Sequence, residues 1–520
     1  MNNSFFNKLT VHPFLLALFP FLFLISHNIE QLMADDITGI LLAIAVTVCA
    51  AALIWLALSF ILKDRKKAAI IVSLGLILFF SYGHFISLID GIWKDIHIGN
   101  FTIGYHKTFL MLWGIIFLTG AYFLWRTRKN LNIATGFLNV ISVALVVITL
   151  ISIGAYELRG SPSVRENTTP ENGQSGIVNI RNLDEPPDIY YLILDMYASS
   201  KTLQEIYNYD NSEFTGYLAG KNFYIASESH SNYQSTHCSL ASSLNMEYLE
   251  FPETMSEESI IEATVEMACN NRVMALLKSR GYRAIHIGSG WSFTKNNKYA
   301  DINIAKKNIY TEYLNVLIQT TMAAPFLKIS IQEDRAQTIL YAFSEIAKIP
   351  EIEGPTFTFA HIVCPHPPYV FGADGEPVPE ASISMTGETD SYTLYLNQLT
   401  FVNKKVVALI NDILDKSKTP PVIIIQSDHG TMSTFPSSDE IPWTSSLTPN
   451  MAKERFGILN AYYFPGNGDE LLYSSISPVN SFRLIFNYYF GADYELLDDR
   501  CYYYSSERPY EFIDVTDKIK

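Results

Sequence analysis

The chain is 520 residues long, 48% hydrophobic and only 17% charged, with a formal net charge of −15. That length exceeds one ordinary domain, and so apolar an average implies a membrane portion joined to a soluble one. The negative balance excludes nucleic acid as a partner and simple electrostatic adhesion to anionic lipid.

Apolar stretches run from Val11 to Ser26, Ile37 to Leu62, Ala68 to Ile89, Thr108 to Trp125 and Ala134 to Ala155. Most are long enough to cross a bilayer as helices. The first, behind Lys8, has the length of a signal peptide, but Asn28, Glu30 and Gln31 follow it in place of a small-residue cleavage site. Five retained helices are therefore expected in a transmembrane region over 1–156. Lys63, Arg65, Lys66 and Lys67 follow the second span and Arg126, Arg128 and Lys129 the fourth, so both loops belong on the cytoplasmic side. Everything after Tyr156 then lies outside, which predicts a multi-pass protein of the cell (inner) membrane with an extracytoplasmic, periplasmic soluble part.

From 157 to 187 the composition turns to Gly, Ser, Pro, Asn and Glu and ends in Pro186-Pro187, which reads as a linker. Residues 188–520 form the expected soluble domain, and because the membrane part is slightly basic, the negative charge resides there. Ile189–Leu194, Phe223–Ala226, Arg283–Ile287, Thr356–Val363, Val422–Ile425 and Ile458–Phe464 read as strands. Ser256–Arg280 and Tyr392–Lys416 carry helical periodicity, the latter with Leu396, Leu399, Val402, Val406, Leu409, Ile410 and Ile413 on one face. Such alternation predicts an α/β fold with a largely parallel sheet between helices.

Four motifs in this part carry chemistry. The apolar strand Ile189–Leu194 ends in one acid, Asp195. In Ser231–Leu249 a polar segment runs into a helix over Ser239–Leu249, with Thr236 at or just before its first turn, where unpaired amides favour an anion. Thr356–Tyr369 is a strand leading into Cys364-Pro365-His366-Pro367-Pro368, a rigid loop that holds His366; His361, inside the strand, reads as packed. Pro421–Gly430 is a doubly covered strand that delivers Asp428 and His429 at its carboxyl end, the edge at which open α/β sheets bind ligands. Each motif alone has a plain structural reading: Asp195 as a loop acid, Thr236 as an N-cap, Asp428-His429-Gly430 as a strand exit. Asn232, Lys404 and Arg455 are candidate phosphate contacts, against readings as a turn residue and as solvated cations.

Together these segments resemble the alkaline phosphatase superfamily, in particular the sulfatase-like branch with lipoteichoic acid synthases and lipid A phosphoethanolamine transferases. The resemblance covers roughly 186–515 and is closest at Thr236, whose Ser239, Leu240 and following small residue are similar to a Thr-x-x-Ser-Val-Pro pattern. It implies an alkaline-phosphatase-like domain in which Asp195, Thr236, Asp428 and His429 bind one divalent metal and Thr236 is the nucleophile. It also implies that His366 contacts the phosphoryl group or leaving oxygen. True sulfatases carry a C/S-x-P-S-R box, whose Pro and Arg are missing from Thr236-His237-Cys238-Ser239-Leu240.

Mixed oxygen and nitrogen ligands admit Zn, Mn or Mg, with Zn preferred for the imidazole. The function expected is a metal-dependent phosphotransferase. It would move a phospholipid head group, phosphoethanolamine or phosphoglycerol, from a membrane phospholipid donor to an envelope glycan or lipid acceptor through a phospho-threonine intermediate. A phosphodiesterase or sulfatase-type hydrolase and a non-catalytic envelope protein are the alternatives. Of five cysteines, Cys49 lies in a span; Cys238, Cys269, Cys364 and Cys501 face the oxidising side, with Cys238–Cys269 the first disulfide to consider.

Overall fold

The computed structural model describes residues 9–27, 34–89, 96–98, 101–159, 185–306, 312–378, 389–435 and 446–519. Most of the expected linker, 160–184, lies outside them. In chain order the helices are α1 (His12–His27), α2 (Ala34–Leu62) and α3 (Arg65–Ile89), then the hairpin β1 (Ile96–Ile98) and β2 (Phe101–Ile103), then α4 (Tyr105–Arg126) and α5 (Asn132–Arg159). After 185 come β3 (Ile189–Leu194), α6 (Ser200–Tyr207), α7 (Ser212–Gly220), β4 (Tyr224–Ile225), α8 (Thr236–Asn245), α9 (Glu257–Cys269), α10 (Arg272–Lys278), β5 (Arg283–Ile287) and β6 (Ile302–Ile304). Next are α11 (Glu312–Gln319), α12 (Ala324–Ile346), β7 (Thr356–Ile362), α13 (Thr389–Lys416), β8 (Val422–Gln426), α14 (Pro449–Phe456), β9 (Asn460–Tyr463) and α15 (Pro478–Phe490). The chain closes with the hairpin β10 (Tyr502–Ser505) and β11 (Arg508–Asp514) and with α16 (Thr516–Ile519).

Two compact units result, one of 1–169 with 308–331, the other of 170–307 with 332–520. In the first, α2 to α5 are each long and apolar enough to cross a membrane. The fifth apolar helix, α1, has 16 residues and is about 24 Å long at 1.5 Å per residue. It is an integral part of the bundle: Asn139 Oδ1 accepts from the Val11 and His12 amides at 3.2 and 3.1 Å, and Asn139 Nδ2 donates to the Leu9 carbonyl at 2.7 Å. These bonds satisfy amides and a carbonyl that a helix start otherwise leaves orphaned in an apolar setting.

The second unit is built on a seven-stranded sheet of order β4-β9-β8-β3-β7-β5-β6. The run β8-β3-β7-β5-β6 is parallel, whereas β9 lies antiparallel to β8 and β4 antiparallel to β9. Side chains of β3 alternate between two cores: Tyr190, Leu192 and Leu194 join Leu399, Val402, Val406 and Ile410 of α13, while Ile189, Tyr191 and Ile193 join Leu240 of α8 and Phe482 of α15. Strands sealed on both faces have no polar side, which is why they read as continuous apolar runs. Each such side chain contributes about 1.5–3 kcal/mol by leaving water.

Several elements differ from the sequence reading for local reasons. The expected helix Ser256–Arg280 divides into α9 and α10 because Asn271 turns its side chain back to accept the Met274 amide at 2.7 Å, starting a new helix. The helix expected over Ser239–Leu249 begins at Thr236 and stops where Met246 adopts left-handed backbone (φ 59°). The edge strand β6 and the hairpin β10–β11 have too little periodicity to be anticipated.

The cysteine expectation is corrected: all five thiols are free. Cys238 packs among Tyr233, Ala241, Leu249 and Tyr504, and burial pushes its thiol up to about 12 and that of Cys269 up to about 11. Denatured without reductant, the protein should take up five maleimides by intact mass; uptake of three would reveal a disulfide.

Candidate metal centre

The centre forms where three neighbouring parallel strands end. Asp195 is the first residue past β3, and its backbone joins it to the exit of β7: its amide donates to the Ile362 carbonyl at 3.0 Å and its carbonyl accepts from the His366 amide at 3.1 Å. On the other side of β3, Asp428 and His429 follow β8 by two and three residues. Met196, at φ 62°, donates its amide to Asp428 Oδ1 at 3.3 Å, and Tyr197 donates to Ser427 Oγ at 2.8 Å, so the two strand exits are stitched together.

Asp195, Asp428 and His429 each offer one ligand atom within 4.8 Å of the others. His429 Nε2 lies 3.4 Å from Asp428 Oδ2 and 3.9 Å from Asp195 Oδ1. All three are sealed from water, at 2%, 1% and 4% exposure. His429 Nδ1 is 3.0 Å from the Gly430 carbonyl. A carbonyl only accepts, so Nδ1 carries the hydrogen and Nε2 presents a bare lone pair to the acids.

Thr236, 5% exposed, supplies a fourth donor: its Oγ1 is 3.2 Å from His429 Nε2. It occupies the first position of α8, after Ser235, and its hydroxyl faces this cluster. The N-cap Ser235 makes no side-chain cap bond. The segment before it is held from outside the helix. Gln234 exchanges two bonds with the Tyr504 backbone at 2.8 and 3.0 Å, and Ser239 Oγ donates to the Tyr233 carbonyl at 3.0 Å.

The electrostatics are strained by design of the donor set. Burial, and then the charge of Asp195, push the Asp428 carboxyl up to about 6. Burial pushes Asp195 the same way, but His366 and His361 outweigh it and hold Asp195 well below the usual carboxylate range. Burial and then Arg455 keep the His429 imidazole neutral, far below its ordinary value. Asp195 Oδ1 and Asp428 Oδ2 are buried with no hydrogen-bond partner. Two orphaned carboxylate oxygens, a bare imidazole nitrogen and a hydroxyl fit a divalent cation of the Zn, Mn or Mg kind.

Residues beyond the sequence reading support this centre. His361 is in direct contact: its Nε2 is 3.4 Å from Asp195 Oδ2, and its Nδ1 is 2.8 Å from Thr294 Oγ1, itself 2.7 Å from Ser289 Oγ. The loop after His429 is clamped by buried Glu454, which accepts from Thr431 Oγ1, Ser433 N, Ser433 Oγ and Thr434 N at 2.6 to 2.9 Å. A Cβ on Gly430 would stand 2.1 Å from the Glu454 carbonyl, so only glycine lets that backbone approach.

The remaining candidates divide. His366 is joined to Asp195 through its amide, and its Nδ1 is 2.5 Å from the Pro367 carbonyl, which leaves Nε2 available. Arg455 donates Nη1 to the Gly430 carbonyl at 2.9 Å. Asn232 is a structural brace: Nδ2 donates to the Arg500 carbonyl at 2.9 Å and Oδ1 accepts from the Val479 amide at 2.9 Å. Lys404 is also engaged elsewhere, with Asp374 at 2.6 Å and the Ala373 carbonyl at 2.9 Å, on an exposed surface.

The profile of the Sulfatase family matches residues 189–466, more than half of the chain and all four donors. This chain belongs to the sulfatase family. It is an enzyme of the alkaline phosphatase superfamily, and four of its described helices are long and apolar enough to cross a membrane. No curated protein matches this family member. Among solved structures it is similar to the periplasmic domain of EcEptC from Escherichia coli in complex with Zn, at 13% identity and TM-score 0.44, over 65% of this chain and 95% of that one. It is also similar to the lipooligosaccharide phosphoethanolamine transferase EptA of Neisseria meningitidis, an integral membrane protein, at 12% identity and TM-score 0.36, over 91% and 94%. The periplasmic domain of the phosphoethanolamine transferase EptC of Campylobacter jejuni matches this sulfatase-family chain at 13% identity and TM-score 0.37, over 60% and 92%.

Gly430→Ala should lower the unfolding free energy by ~1–3 kcal/mol, the cost of overpacking, and reduce bound metal; denaturant titration and elemental analysis check the two effects.

Proposed function

We propose that this sulfatase-family enzyme is a metal-dependent phosphotransferase that moves a phospholipid head group onto an envelope glycan or lipid, with Thr236 as the nucleophile. One observation carries the reading: a hydroxyl at a helix start points into a buried group of two acids and an imidazole, two of whose oxygens have no partner. The cap position belongs to Ser235, and the Thr236 hydroxyl is 3.2 Å from His429 Nε2.

Asp195, Asp428, His429 and Thr236 would hold the metal. When bound, it supplies Lewis acidity that lowers the pKa of the threonine hydroxyl and neutralises the acids. The chain's own groups do the rest. Neutral His429, fixed by its Nδ1–H to the Gly430 carbonyl, accepts a hydrogen bond from the Thr236 hydroxyl at Nε2, the lone pair it would give to the metal. Thr236 Oγ forms a bond to phosphorus, the bond from phosphorus to the donor's lipid alcohol breaks, and that alcohol leaves with the proton Thr236 gives up. An acceptor hydroxyl then forms its own bond to phosphorus, the Oγ–phosphorus bond breaks, and the acceptor's proton returns to Thr236 Oγ. The amides at the start of α8, and His366 when its Nε2 also carries a proton, face the charge that develops on the phosphoryl oxygens. The donor would be a membrane phospholipid carrying phosphoethanolamine or phosphoglycerol, in keeping with catalysis beside a bilayer.

Intact-mass analysis after incubation with phospholipid vesicles should show Thr236 carrying the mass of the transferred phosphoryl group, and Thr236→Ala should show no adduct and no transfer. Release of free head group at full rate without any acceptor would instead make the enzyme a hydrolase. Transfer undiminished by Thr236→Ala would end the proposal.

His361→Ala should weaken metal binding about 10–100-fold, the usual effect of removing a group that orients a ligand, while His361→Asn should restore part of it. Calorimetric titration of the metal-stripped protein reads both.

A further inference from the structure

The first unit contains a piece of chain that sequence order assigns to the catalytic side. From Tyr313 to Leu327 no residue is charged, and Glu312 and Lys328 bracket the run. This segment comprises α11, a turn over 320–323 and the start of α12, and it packs into the helical bundle. Tyr313, Leu314 and Leu317 bury against Phe21 of α1 and Ile40 of α2, and the Tyr313 hydroxyl donates to the Phe21 carbonyl at 2.6 Å. Met322 packs beside Tyr82, Phe109 and Trp113 of α3 and α4.

The lock on α3 is made by backbone. Gly83 donates its amide to the Thr320 carbonyl at 2.9 Å, and the Phe79 carbonyl accepts from the Met322 amide at 3.0 Å. Residues 79 and 83 are the two ends of one helical rung, and both are bonded to the turn. A Cβ at Gly83 would lie 2.0 Å from the Gln319 carbonyl, so this approach requires glycine. The turn satisfies its own polar groups: Thr320 Oγ1 donates to the Leu317 carbonyl at 2.7 Å, Thr321 Oγ1 to that of Ile318 at 2.8 Å, and Thr321 Oγ1 accepts from Ala323 N at 3.1 Å. Water is not needed to complete it.

Depth follows from helix geometry. α3 ends at Ile89, six residues past Gly83 and ten past Phe79, so the docking site lies about 9–15 Å below the helix end at 1.5 Å per residue. The 25 residues of α3 exceed a hydrocarbon core of about 30 Å by only about 7 Å in total. The docking site therefore sits at the level of the acyl chains. Phe21 and Ile40 are likewise six residues from His27 and Ala34, the ends of α1 and α2 on that same side. Those are the ends that the basic clusters Lys63–Lys67 and Arg126–Lys129 place away from the cytoplasm. Backbone outside a spanning helix is stable at such depth only when enclosed by protein and internally satisfied; this segment meets both conditions. Its outer side is nevertheless open and apolar, with Val316 44% and Phe326 71% exposed. It shares the depth of the exposed apolar surface of the spans at Leu41, Phe79 and Phe85.

We propose that residues 313–327 are an insertion of the catalytic chain into the extracytoplasmic leaflet, and that phospholipid acyl chains cover its Val316 and Phe326 face. The inference does not depend on which group the metal centre transfers.

The test uses the full-length protein in nanodiscs of phosphatidylethanolamine and phosphatidylglycerol, with benzoylphenylalanine replacing Phe326, or Val316 as a second position should the first fail to fold. Illumination should add the mass of one phospholipid at either position, as it should at Leu41 on α2, and none at Leu471, an exposed apolar residue of the second unit. Gly83→Val in the same background should reduce the adduct at 326 towards the level at 471. Lipid capture at 326 and 316 no greater than at 471, or capture of a second protein chain in place of lipid, would overturn the proposal.

Discussion

Everything at this centre follows from two carboxylates that cannot both be comfortable. Asp195 and Asp428 leave adjacent parallel strands at the same level, away from water, and each keeps one oxygen without a partner. In a low dielectric such a pair repels strongly unless something positive lies between the two. The surroundings already lean that way: His366 and His361 act on Asp195, Arg455 binds the backbone beside Asp428, and Met196 and Ser427 fasten the exits together. The helix that brings Thr236 is then placed where its hydroxyl completes the set. Removing one acid would leave the other with less to oppose it.

How much of this was legible in the sequence depended on whether a signal was local. Ile189–Leu194 and Val422–Ile425 announce themselves as sealed strands, and an acid directly after such a run stands at the edge where ligands bind. The parallel core of the sheet follows from strands of that kind alternating with helices. His361 carries no such signal: an imidazole inside a strand reads as packed, and only the register that sets it opposite Ile193 of β3 brings it to Asp195. Glu454 is similarly silent, one acid in a polar helix, until the fold buries it under the loop that follows His429. Asn232 and Lys404 are bonded to groups outside the centre, and residue type gives no account of such partners. Asn232 is fully occupied by Arg500 and Val479, which join it only after the chain has closed.

The membrane unit teaches a related lesson about length. Hydropathy finds α2 to α5 because each exceeds the bilayer thickness, but Tyr313–Leu327 is shorter than the roughly 20 residues a span needs and sits in a stretch otherwise read as soluble. Its affinity for the bundle lies in contacts of high sequence separation, above all the glycine at 83 that permits one carbonyl to come close. No periodic pattern encodes that. What the sequence does contain is the absence of charge between Glu312 and Lys328, and a charge-free run of this length in an acidic domain carries information even when it is too short to cross.

The segment around Thr236 departs from the sulfatase box in a way the fold accounts for. The box fixes its reactive residue with a proline and an arginine close by in sequence. Here Cys238 and Leu240 stand at those two places, and neither can stiffen a turn or make an ion pair. The stiffness comes from farther away. Ser239 ties its hydroxyl back to Tyr233, Gln234 exchanges two bonds with Tyr504 of the C-terminal hairpin, and the Tyr233 ring stacks on Tyr502 at 5.6 Å. A local restraint has been replaced by a tertiary one, so the position of Thr236 depends on the last strands of the chain having folded. The Thr236 hydroxyl is thus brought to the two acids and the imidazole only in the complete domain, after the C-terminal hairpin has formed.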